Sequence, residues 1–375
     1  MDILKVMSIV GTRPEGIKMA PLISLLEQAE DVKSVLCLTA QHREMLDQVL
    51  SLFKLQPHHD LNIMRSEQSL THITARALEG LESIITKEKP HLVLVQGDTT
   101  TTFVGALAAF YQHVPVGHVE AGLRTGDKYA PFPEEINRRL NSVIADLHFA
   151  PTPVARDNLL REGIVPENIF VTGNTVIDAL KTTVQPDYQF SEPVLRELDF
   201  KRKRIILLET HRRENLGEPM RESCRAVRQL IDDFPDTMLV FPVHRNPAVR
   251  RVATQFLEGH PRVLLLEPLG TLDFHNLMAR SHLILTDSGG IQEEAPSLGV
   301  PVVVLRAVTE RPEAIEAGTA VLAGTTREQI YAAAARLLKD AVVYEQMAHT
   351  ANPYGDGHAS ERILNIIRKH GAVRG

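Results

Sequence analysis

Two carboxylates, Asp98 and Glu120, each stand at the end of a short apolar stretch that predicts a buried β-strand, and four threonines between them open a helix of small residues. The carboxyl ends of parallel strands meet at one edge of a sheet, and ligands bind in the crevice outside that edge. We therefore expect both side chains to face one cavity, where they could exchange protons with a substrate. A structural alternative is that Asp98 only caps the helix and that Glu120 pairs with Arg124.

A third carboxylate, Glu134, lies in the segment PFPEEINRR. Pro133 suits the start of a helix, Glu134 then falls in its first turn, and Arg138 lies four residues further along the same face. The segment therefore adds an acid–base candidate and a cation to the first half of the chain. The structural alternative is an ordinary surface ion pair between Glu134 and Arg138, which contributes only ~0.3–0.5 kcal/mol.

The second half of the chain contains a turn that could bind phosphate. A predicted strand at 283–286 runs through Asp287-Ser288-Gly289-Gly290 into a helix. Unpaired N–H groups and the helix dipole attract an anion there, and the glycines let a phosphate approach the backbone. Such turns also occur only to make a bend. Cations just past other strand ends favour the phosphate interpretation, since a pyrophosphate could bind them together. They are Arg13, Arg311 and the run His211-Arg212-Arg213.

Composition excludes several classes of protein. The 375 residues are 43% hydrophobic and 23% charged with a net charge of -6, which is typical of a globular chain long enough for two domains. No apolar run approaches the ~18 residues of a transmembrane helix, and no basic stripe predicts nucleic-acid binding. Residues 2–10 read as a strand without a basic n-region, so we expect no signal peptide there. Cys37 and Cys224 predict neither a disulfide nor a thiolate metal site, so we expect a reducing cytoplasm.

Strands and helices alternate along almost the whole chain, which predicts an α/β fold with two doubly wound parallel sheets. The first series covers residues 1–183, the second covers 204–357, and the segment 184–203, with two prolines and no clear period, is the predicted linker. The last segment, 358–375, contains a helix that we expect to pack back on the first domain. Two such domains place a cleft between them, a common location for a ligand.

Ten motifs in unbroken order resemble those of the bacterial non-hydrolysing UDP-N-acetylglucosamine 2-epimerases. They are GTRPEGIK, TAQHREMLDQVL, GDTTTT, GHVEAGLRT, PFPEEINRR, HRRENLGEPM, PVHRNP, LTDSGGIQEEAPSLG, TERPEA and NPYGDG. The resemblance implies a glycosyltransferase B type fold, two Rossmann-like domains with the active site in the interdomain cleft, and a homodimer.

The chemistry implied by the resemblance is inversion at C-2 of UDP-N-acetylglucosamine (UDP-GlcNAc) to give UDP-N-acetylmannosamine (UDP-ManNAc). UDP is eliminated to leave 2-acetamidoglucal and then adds back, and the product supplies N-acetylmannosamine for cell-surface polysaccharide. The implied reaction needs no nicotinamide and no metal, and the sequence contains no G-x-G-x-x-G, G-K-[ST] or H-E-x-x-H motif.

The resemblance also implies three sets of site residues. The acid–base set is Asp98, Glu120 and Glu134, supported by Lys18, Arg138 and His211. The nucleotide set is Arg13, Ser288, Gly289, Gly290 and Arg311 at the diphosphate, with Glu294 at the ribose hydroxyls. The set for a second substrate molecule, bound as an allosteric activator, is Gln41, His42 and His244.

Several positions depart from the family pattern. Where the family commonly has a threonine and a small residue before His211, this chain has Glu209-Thr210. Glu209 either adds a carboxylate beside the diphosphate region or points away into the sheet. The other departures are Gln96 in place of histidine, Ala307-Val308 in place of Asp-Thr, and Glu44 and Glu67 in the allosteric region. They bear on the fine geometry of the site and on activation.

Three other functions stay open at this point. A glycosyltransferase would share the fold and the nucleotide site, although it needs fewer acid–base groups than this chain offers. A hydrolysing epimerase would release free N-acetylmannosamine, but such relatives resemble the GTRPEGIK loop less. A silent nucleotide-sugar sensor would not need to keep the three carboxylates.

Overall fold

A computed structural model describes residues 3–39, 43–63 and 69–370 of the chain. Residue contacts divide the chain into two compact units, Met1–Ala179 with Tyr354–Gly375, and Leu180–Pro353. In each unit parallel strands alternate with helices, as the order of apolar stretches predicts. The prediction of two Rossmann-like α/β domains is thereby confirmed.

The strands of the first unit are β1 (Leu4–Val10), β2 (Val32–Leu38), β3 (His59–Asp60), β4 (Leu92–Gln96), β5 (Val116–Val119), β6 (Leu147–Ala150) and β7 (Ile169–Val171). In the described part of the chain they form one seven-stranded parallel sheet in the order β3-β2-β1-β4-β5-β6-β7. The sequence pattern predicted neither β3, with 2 residues, nor β7, with 3, because so few residues cannot show a period.

Helices cover both faces of this sheet. They are α1 (Arg13–Gln28), α2 (Arg43–Phe53), α3 (Leu70–Glu88), α4 (Thr100–Tyr111), α5 (Glu134–Ile144), α6 (Pro153–Arg161) and α7 (Thr175–Thr183). Successive side chains of β1 point to opposite faces. Val6 and Val10 pack in one core with residues of α1, whereas Met7 and Ile9 pack in another with residues of α3 and α4.

The small residues of α4 let it lie close to the sheet. A methyl group built on Gly105 would come within 3.1 Å of Val95 and 3.2 Å of Ile9. Thr99 caps the helix by accepting a hydrogen bond from the backbone N–H of Thr102 at 3.2 Å. The turn at 97–99 is thereby fixed at the carboxyl end of β4.

The second unit repeats this architecture. Its strands are β8 (Arg204–Glu209), β9 (Thr237–Pro242), β10 (Val263–Leu266), β11 (Leu283–Thr286), β12 (Val302–Val304) and β13 (Ala320–Leu322), in the parallel order β10-β9-β8-β11-β12-β13. Its helices are α8 (Pro193–Arg196), α9 (Glu218–Asp233), α10 (Pro247–Leu257), α11 (Thr271–Ala279), α12 (Gly289–Glu294), α13 (Pro312–Ala317), α14 (Arg327–Lys339) and α15 (Ala341–Ala348).

The segment 184–203, predicted as a linker, belongs to the second unit, and the division between the units falls within α7. The buried carboxylate of Asp273 in α11 accepts hydrogen bonds from Tyr188 Oη at 2.7 Å and from the backbone N–H of Ser191 at 2.8 Å. The segment 184–203, with its two prolines and no clear hydrophobic period, therefore packs on α11.

The C-terminal helix α16 (Ala359–His370) packs in the first unit. Ile363 and Ile367 are buried in the same core as α1, and Asp178 accepts a hydrogen bond from the backbone N–H of Ser360 at 2.7 Å. The return to the first unit begins at Tyr354, slightly before the predicted residue 358. No helix in the described residues combines the length and apolar content needed to span a bilayer.

Candidate active site

Asp98 is held by a cation at the carboxyl end of β4. Arg138 contacts Asp98 Oδ2 through Nη2 at 2.8 Å and through Nε at 2.9 Å. Thr99 rather than Asp98 caps α4, so the capping alternative is wrong. Arg138 pairs with Asp98 and with Glu135, at 3.2 Å, which replaces the surface ion pair to Glu134 considered from the sequence.

Glu120 follows β5 and is held by a different cation. Lys18 Nζ in α1 lies 2.7 Å from each carboxylate oxygen of Glu120, whose side chain is 5% exposed. The amide of Gln96 also donates to this carboxylate. Arg124 instead pairs with Glu162 at 2.6 Å, so the alternative pairing of Glu120 with Arg124 is wrong.

The two carboxylates occupy one edge of the sheet. Gln96 of β4 pairs in register with Val119 of β5, and the backbone N–H of Gly97 donates to Val119 O at 3.0 Å. Asp98 and Glu120 therefore begin from neighbouring positions, as expected from the strand ends. Glu120 has φ of 65°, a left-handed conformation uncommon for a residue with a side chain.

Glu134 differs from the other two carboxylates in its contacts within the described part of the chain. It is the first residue of α5 and is partly exposed. In residues 3–39, 43–63 and 69–370 no side chain or backbone group forms a hydrogen bond or ion pair with its carboxylate. The start of α5 is nevertheless tied to the Asp98 turn, since Asn137 Nδ2 donates to Asp98 O at 2.9 Å.

His118 also positions the Asp98 turn, and the sequence reasoning did not single it out. The ring is fully buried in β5, and Nε2 lies 2.7 Å from Gly97 O. Burial lowers the pKa of His118 to about 3, so the ring is neutral. Because a carbonyl only accepts, Nε2 carries the hydrogen. A histidine inside an apolar strand is the signal that could have identified it.

Glu15 links the first loop to the turn after β4. Its carboxylate accepts from the backbone N–H groups of Gly11 at 2.5 Å and Thr12 at 3.0 Å, and from the hydroxyl of Thr99. Burial, the largest effect, raises the pKa of Glu15 to about 7 in spite of these hydrogen bonds. The spacing T-x-x-E, a capping-box pattern, is present in the sequence but was not used to predict this residue. Two other predicted residues, Arg13 and Lys18, share α1 with Glu15.

In the second unit, the predicted phosphate turn is lined by two guanidinium groups. Ser288 precedes α12, and Gly289 and Gly290 are its first residues. A methyl group built on Gly289 would lie 3.6 Å from the guanidinium of Arg311 and 3.9 Å from Nη2 of Arg212. A phosphate at this position would meet two cations at once.

Buried carboxylates orient this cationic turn. Arg311 Nε donates to Glu293, whose side chain is 2% exposed. Glu294, predicted to bind ribose, lies beside Gly290, with Oε1 3.4 Å from a methyl group built there, and its Oε2 is 3.6 Å from His275 Nε2. The structure thus brings together Ser288, Gly289, Gly290, Glu294 and Arg311.

The loop after β8 is fastened by Asp287, which is fully buried. Asp287 accepts from Thr210 Oγ1 at 2.6 Å, from the backbone N–H of Arg212 at 3.1 Å and from Asn215 Nδ2 at 2.9 Å. The sequence placed Arg212 only in a run of cations and did not single it out. The tertiary contact to Asp287 is what turns it toward Gly289.

His211 lies between a carboxylate and a second imidazole. Its Nδ1 is 2.5 Å from Glu209 Oε1, and its ring stacks on His244 with centroids 5.1 Å apart. The hydrogen bond from Glu209 raises the pKa of His211, whereas burial followed by the charge of His211 lowers the pKa of His244. Glu209 therefore points toward His211, and the alternative that it turns away into the sheet is wrong.

One group of side chains in the described residues has the spacing of a cation site. The ligand atoms of Glu209, His211 and Asp287 all lie within 4.8 Å of one another. Each is already engaged, because Asp287 accepts several protein donors and Glu209 accepts from His211 and Thr286. A hydrogen-bonded network explains the group without a metal.

Two of the three predicted allosteric residues, Gln41 and His42, lie outside the described residues. The third, His244, stacks on His211, as noted above. The prediction of an activating second substrate molecule therefore stays a prediction.

Comparison with known proteins gives one consistent result. A sequence model of the family described as UDP-N-acetylglucosamine 2-epimerase matches residues 24–368. The UDP-N-acetylglucosamine 2-epimerase of Bacillus subtilis is 56% identical over 374 residues, which cover 100% of this chain and 97% of that protein. The crystal structure of UDP-GlcNAc 2-epimerase from Neisseria meningitidis bound to UDP-GlcNAc matches with a TM-score of 0.88 and 47% identity, covering 98% of this chain and 100% of that chain.

A co-structure of S. aureus MnaA with UDP matches with a TM-score of 0.90 and 52% identity, covering 98% of this chain and 96% of that chain. These matches extend over both units, so they concern the whole architecture rather than one domain. The chain belongs to the UDP-N-acetylglucosamine 2-epimerase family of isomerases.

Proposed function

We propose that this chain interconverts UDP-GlcNAc and UDP-ManNAc by eliminating and re-adding UDP. A base removes the C-2 proton while the bond from C-1 to the diphosphate oxygen breaks, which leaves 2-acetamidoglucal and UDP. A proton then enters C-2 from the other face, and UDP returns to C-1. The reaction consumes no oxidant, reductant or water.

The observation that carries this proposal is the pair of carboxylates at one sheet edge, each held by its own cation. Lys18 holds the carboxylate of Glu120, and Arg138 holds that of Asp98. Glu134 starts α5, whose Asn137 donates to the Asp98 turn, and it is the third acid–base group of the proposal. Positioned proton transfer of this kind contributes about 10² to 10⁴ in rate.

Departure of UDP requires stabilisation of the developing negative charge, which is usually a larger contribution. Arg212, Arg311 and the backbone at Gly289 supply positive potential in the second unit. The family's solved structures with UDP and with UDP-GlcNAc support this ligand class.

We further propose that the product feeds cell-surface polysaccharide synthesis, that the enzyme works in the cytoplasm, and that it is a homodimer activated by its own substrate. The two cysteines are buried and free, as expected in a reducing compartment. Ile136, Leu140 and Val143 form a partly exposed apolar row on α5 that a second copy could cover. Light scattering of the purified protein tests the dimer. The activation is tested in the reverse reaction, which starts from UDP-ManNAc. A lag is expected, and added UDP-GlcNAc should remove it.

The main experiment is proton NMR with UDP-GlcNAc in deuterated buffer without added metal or nicotinamide. Deuterium at C-2 and a growing UDP-ManNAc signal are expected. Release of UDP with free N-acetylmannosamine would assign the hydrolysing reaction instead. An unchanged spectrum that changes only when a sugar acceptor is added would overturn the epimerase proposal in favour of a glycosyltransferase.

A further inference from the structure

Glu209 is bound at both of its carboxylate oxygens, and this arrangement fixes its direction. It is the last residue of β8 and pairs in register with Thr286 of β11. Thr286 Oγ1 donates to Oε2 at 2.8 Å, and His211 Nδ1 donates to Oε1 at 2.5 Å. The strand pairing anchors one oxygen, so the other is held against the imidazole.

We propose that Glu209 is a positioning residue for His211, which orients the ring through Nδ1–H and favours its imidazolium form beside the phosphate turn. Because a carboxylate only accepts, Nδ1 must carry a hydrogen, and Nε2 is left to face a ligand. The backbone N–H of His211 donates to Asp287 at 3.2 Å, and Asp287 directly precedes Ser288. His211 is therefore held through its backbone by Asp287, next to the phosphate turn, and through its ring by Glu209.

The charges around His211 come from three neighbouring elements. Glu209 at the end of β8 and Asp287 after β11 favour the charged ring, whereas burial and Arg212 oppose it. The carboxylates prevail, so the pKa of His211 is raised. Burial and the charge of His211 lower the pKa of the stacked His244. Of the two stacked rings, His211 binds the proton first.

A cationic His211 suits the departure of a diphosphate, because Nε2–H can donate to the oxygen that gains charge. This inference rests on the proposed role of His211 in the epimerase reaction. If the protonated ring is needed, turnover is lost as pH rises through the pKa of His211. Removing the charge of Glu209 must then move that loss to lower pH.

The experiment combines a titration of the histidine rings with kinetics. Wild type, Glu209→Gln, Glu209→Asp and Glu209→Thr are labelled with ¹³C-histidine and followed by NMR from pH 5 to 9 in EDTA. His211→Asn assigns the His211 signal. The rate of UDP-GlcNAc epimerisation is measured over the same range, with kcat and KM separated.

The matched control is Glu361→Gln, which removes another contact between a glutamate and a histidine. Glu361 Oε2 lies 3.0 Å from His358 Nδ1, but both side chains are at least half exposed. This variant should leave the His211 signal and the rate profile unchanged. Thermal unfolding of every variant shows whether it is folded, and the threonine variant serves if the glutamine variant is not.

The expected result for Glu209→Gln is a pKa of His211 lower by about one unit, since an opposite charge at this distance shifts a pKa by that order. The alkaline limb of kcat should move by the same amount, so turnover above it falls about tenfold. KM should change little, and Glu209→Asp should restore part of both shifts.

An unshifted His211 signal in a folded Glu209→Gln protein would overturn the inference. A shifted signal with an unshifted rate profile would also overturn it, since Glu209 would then act on a ring that the reaction does not use. Failure of the proposed function looks different. In that case wild type itself incorporates no deuterium at C-2, whatever the titration shows.

Discussion

The carboxyl edges of the two sheets carry opposite charges built in the same way. In the first unit, the carboxylates Asp98 and Glu120 are each paired with a cation, Arg138 and Lys18 respectively. In the second unit the cations face the site, and the buried carboxylates Asp287 and Glu293 lie behind them. Each of these charges therefore has an opposite charge beside it.

This reversal has a physical reason. A partly buried ion is costly unless it is paired and hydrogen-bonded, so each edge needs a counter-charge. A carboxylate edge suits proton transfer, whereas a guanidinium edge suits a diphosphate. We propose that the two units divide chemistry from nucleotide binding, and variants on each side should separate the two properties.

The largest effect is expected on the carboxylate side. Asp98→Asn keeps the size of the side chain and its contact with Arg138 but removes the charge, so turnover should fall about 10²- to 10⁴-fold. The affinity for UDP, measured by calorimetry, should stay within about twofold of wild type. Asp157→Asn, which changes an exposed carboxylate paired with Arg156 at 3.5 Å, is the control. Normal turnover in Asp98→Asn would remove Asp98 from the chemistry.

On the cationic side a smaller effect is expected, and it should concern the affinity for UDP rather than turnover. Arg311→Lys retains a positive charge for Glu293 but loses the planar fork that matches phosphate. The Kd for UDP should rise about 10- to 100-fold, which corresponds to about 1.5–3 kcal/mol for a charged hydrogen bond. Arg250→Lys, in an exposed pair with Glu267 at 2.5 Å, is the control. If Arg311→Lys and Asp98→Asn lost equal affinity for UDP, chemistry and nucleotide binding would not be divided between the two units.

Glu15 supports the turn after β4 in the first unit, and its role can be tested by the pH dependence of the free energy of unfolding. The pKa of Glu15 is raised from 4.5 to about 7, so the folded state holds a proton that the unfolded state has lost within that window. The contribution of Glu15 to stability therefore falls as pH rises from 4.5 to about 7 and is constant above it.

Glu15→Gln lacks this titration. The free energy of unfolding of wild type, minus that of Glu15→Gln, should decrease across the window by on the order of 1–3 kcal/mol. Urea unfolding at pH 5, 6, 7 and 8 measures it. A difference that does not change with pH would show that Glu15 is ionised throughout, with its three donors outweighing burial.

The smallest effect is expected at His118. His118→Gln can keep a hydrogen bond to Gly97 O, whereas His118→Phe leaves that carbonyl without its donor at a cost of about 1–3 kcal/mol. The phenylalanine variant should therefore lose more thermal stability and more turnover than the glutamine variant. Because the pKa of His118 is about 3, neither change should alter the shape of the rate profile between pH 5 and 9. A profile altered by His118→Gln would show that the ring titrates.

Much of this molecule could be predicted before the structure was known. Long apolar strands such as β1 and β4 are recognised from local pattern, and Asp98 and Glu120 do follow strands at one edge. The segment 184–203 was harder to interpret, because its packing depends on Asp273, more than 80 residues later in the chain. The direction of the Glu209 side chain was also open. The alternation of side chains along a strand does not predict which groups the last side chain of the strand contacts.

The sequence by itself determined the α/β class, the family and the residue types at the ends of the strands, because these follow from local periodicity and from motifs. Only the tertiary structure decided which charges pair. Lys18 and Glu120 are 102 residues apart, and Arg138 reaches Asp98 across 40. Likewise, Glu209 turns to His211 because Thr286 of the neighbouring strand binds its other oxygen. Pairing depends on distances in space, which sequence separation does not encode, and the protonation state of each site residue depends in turn on that pairing.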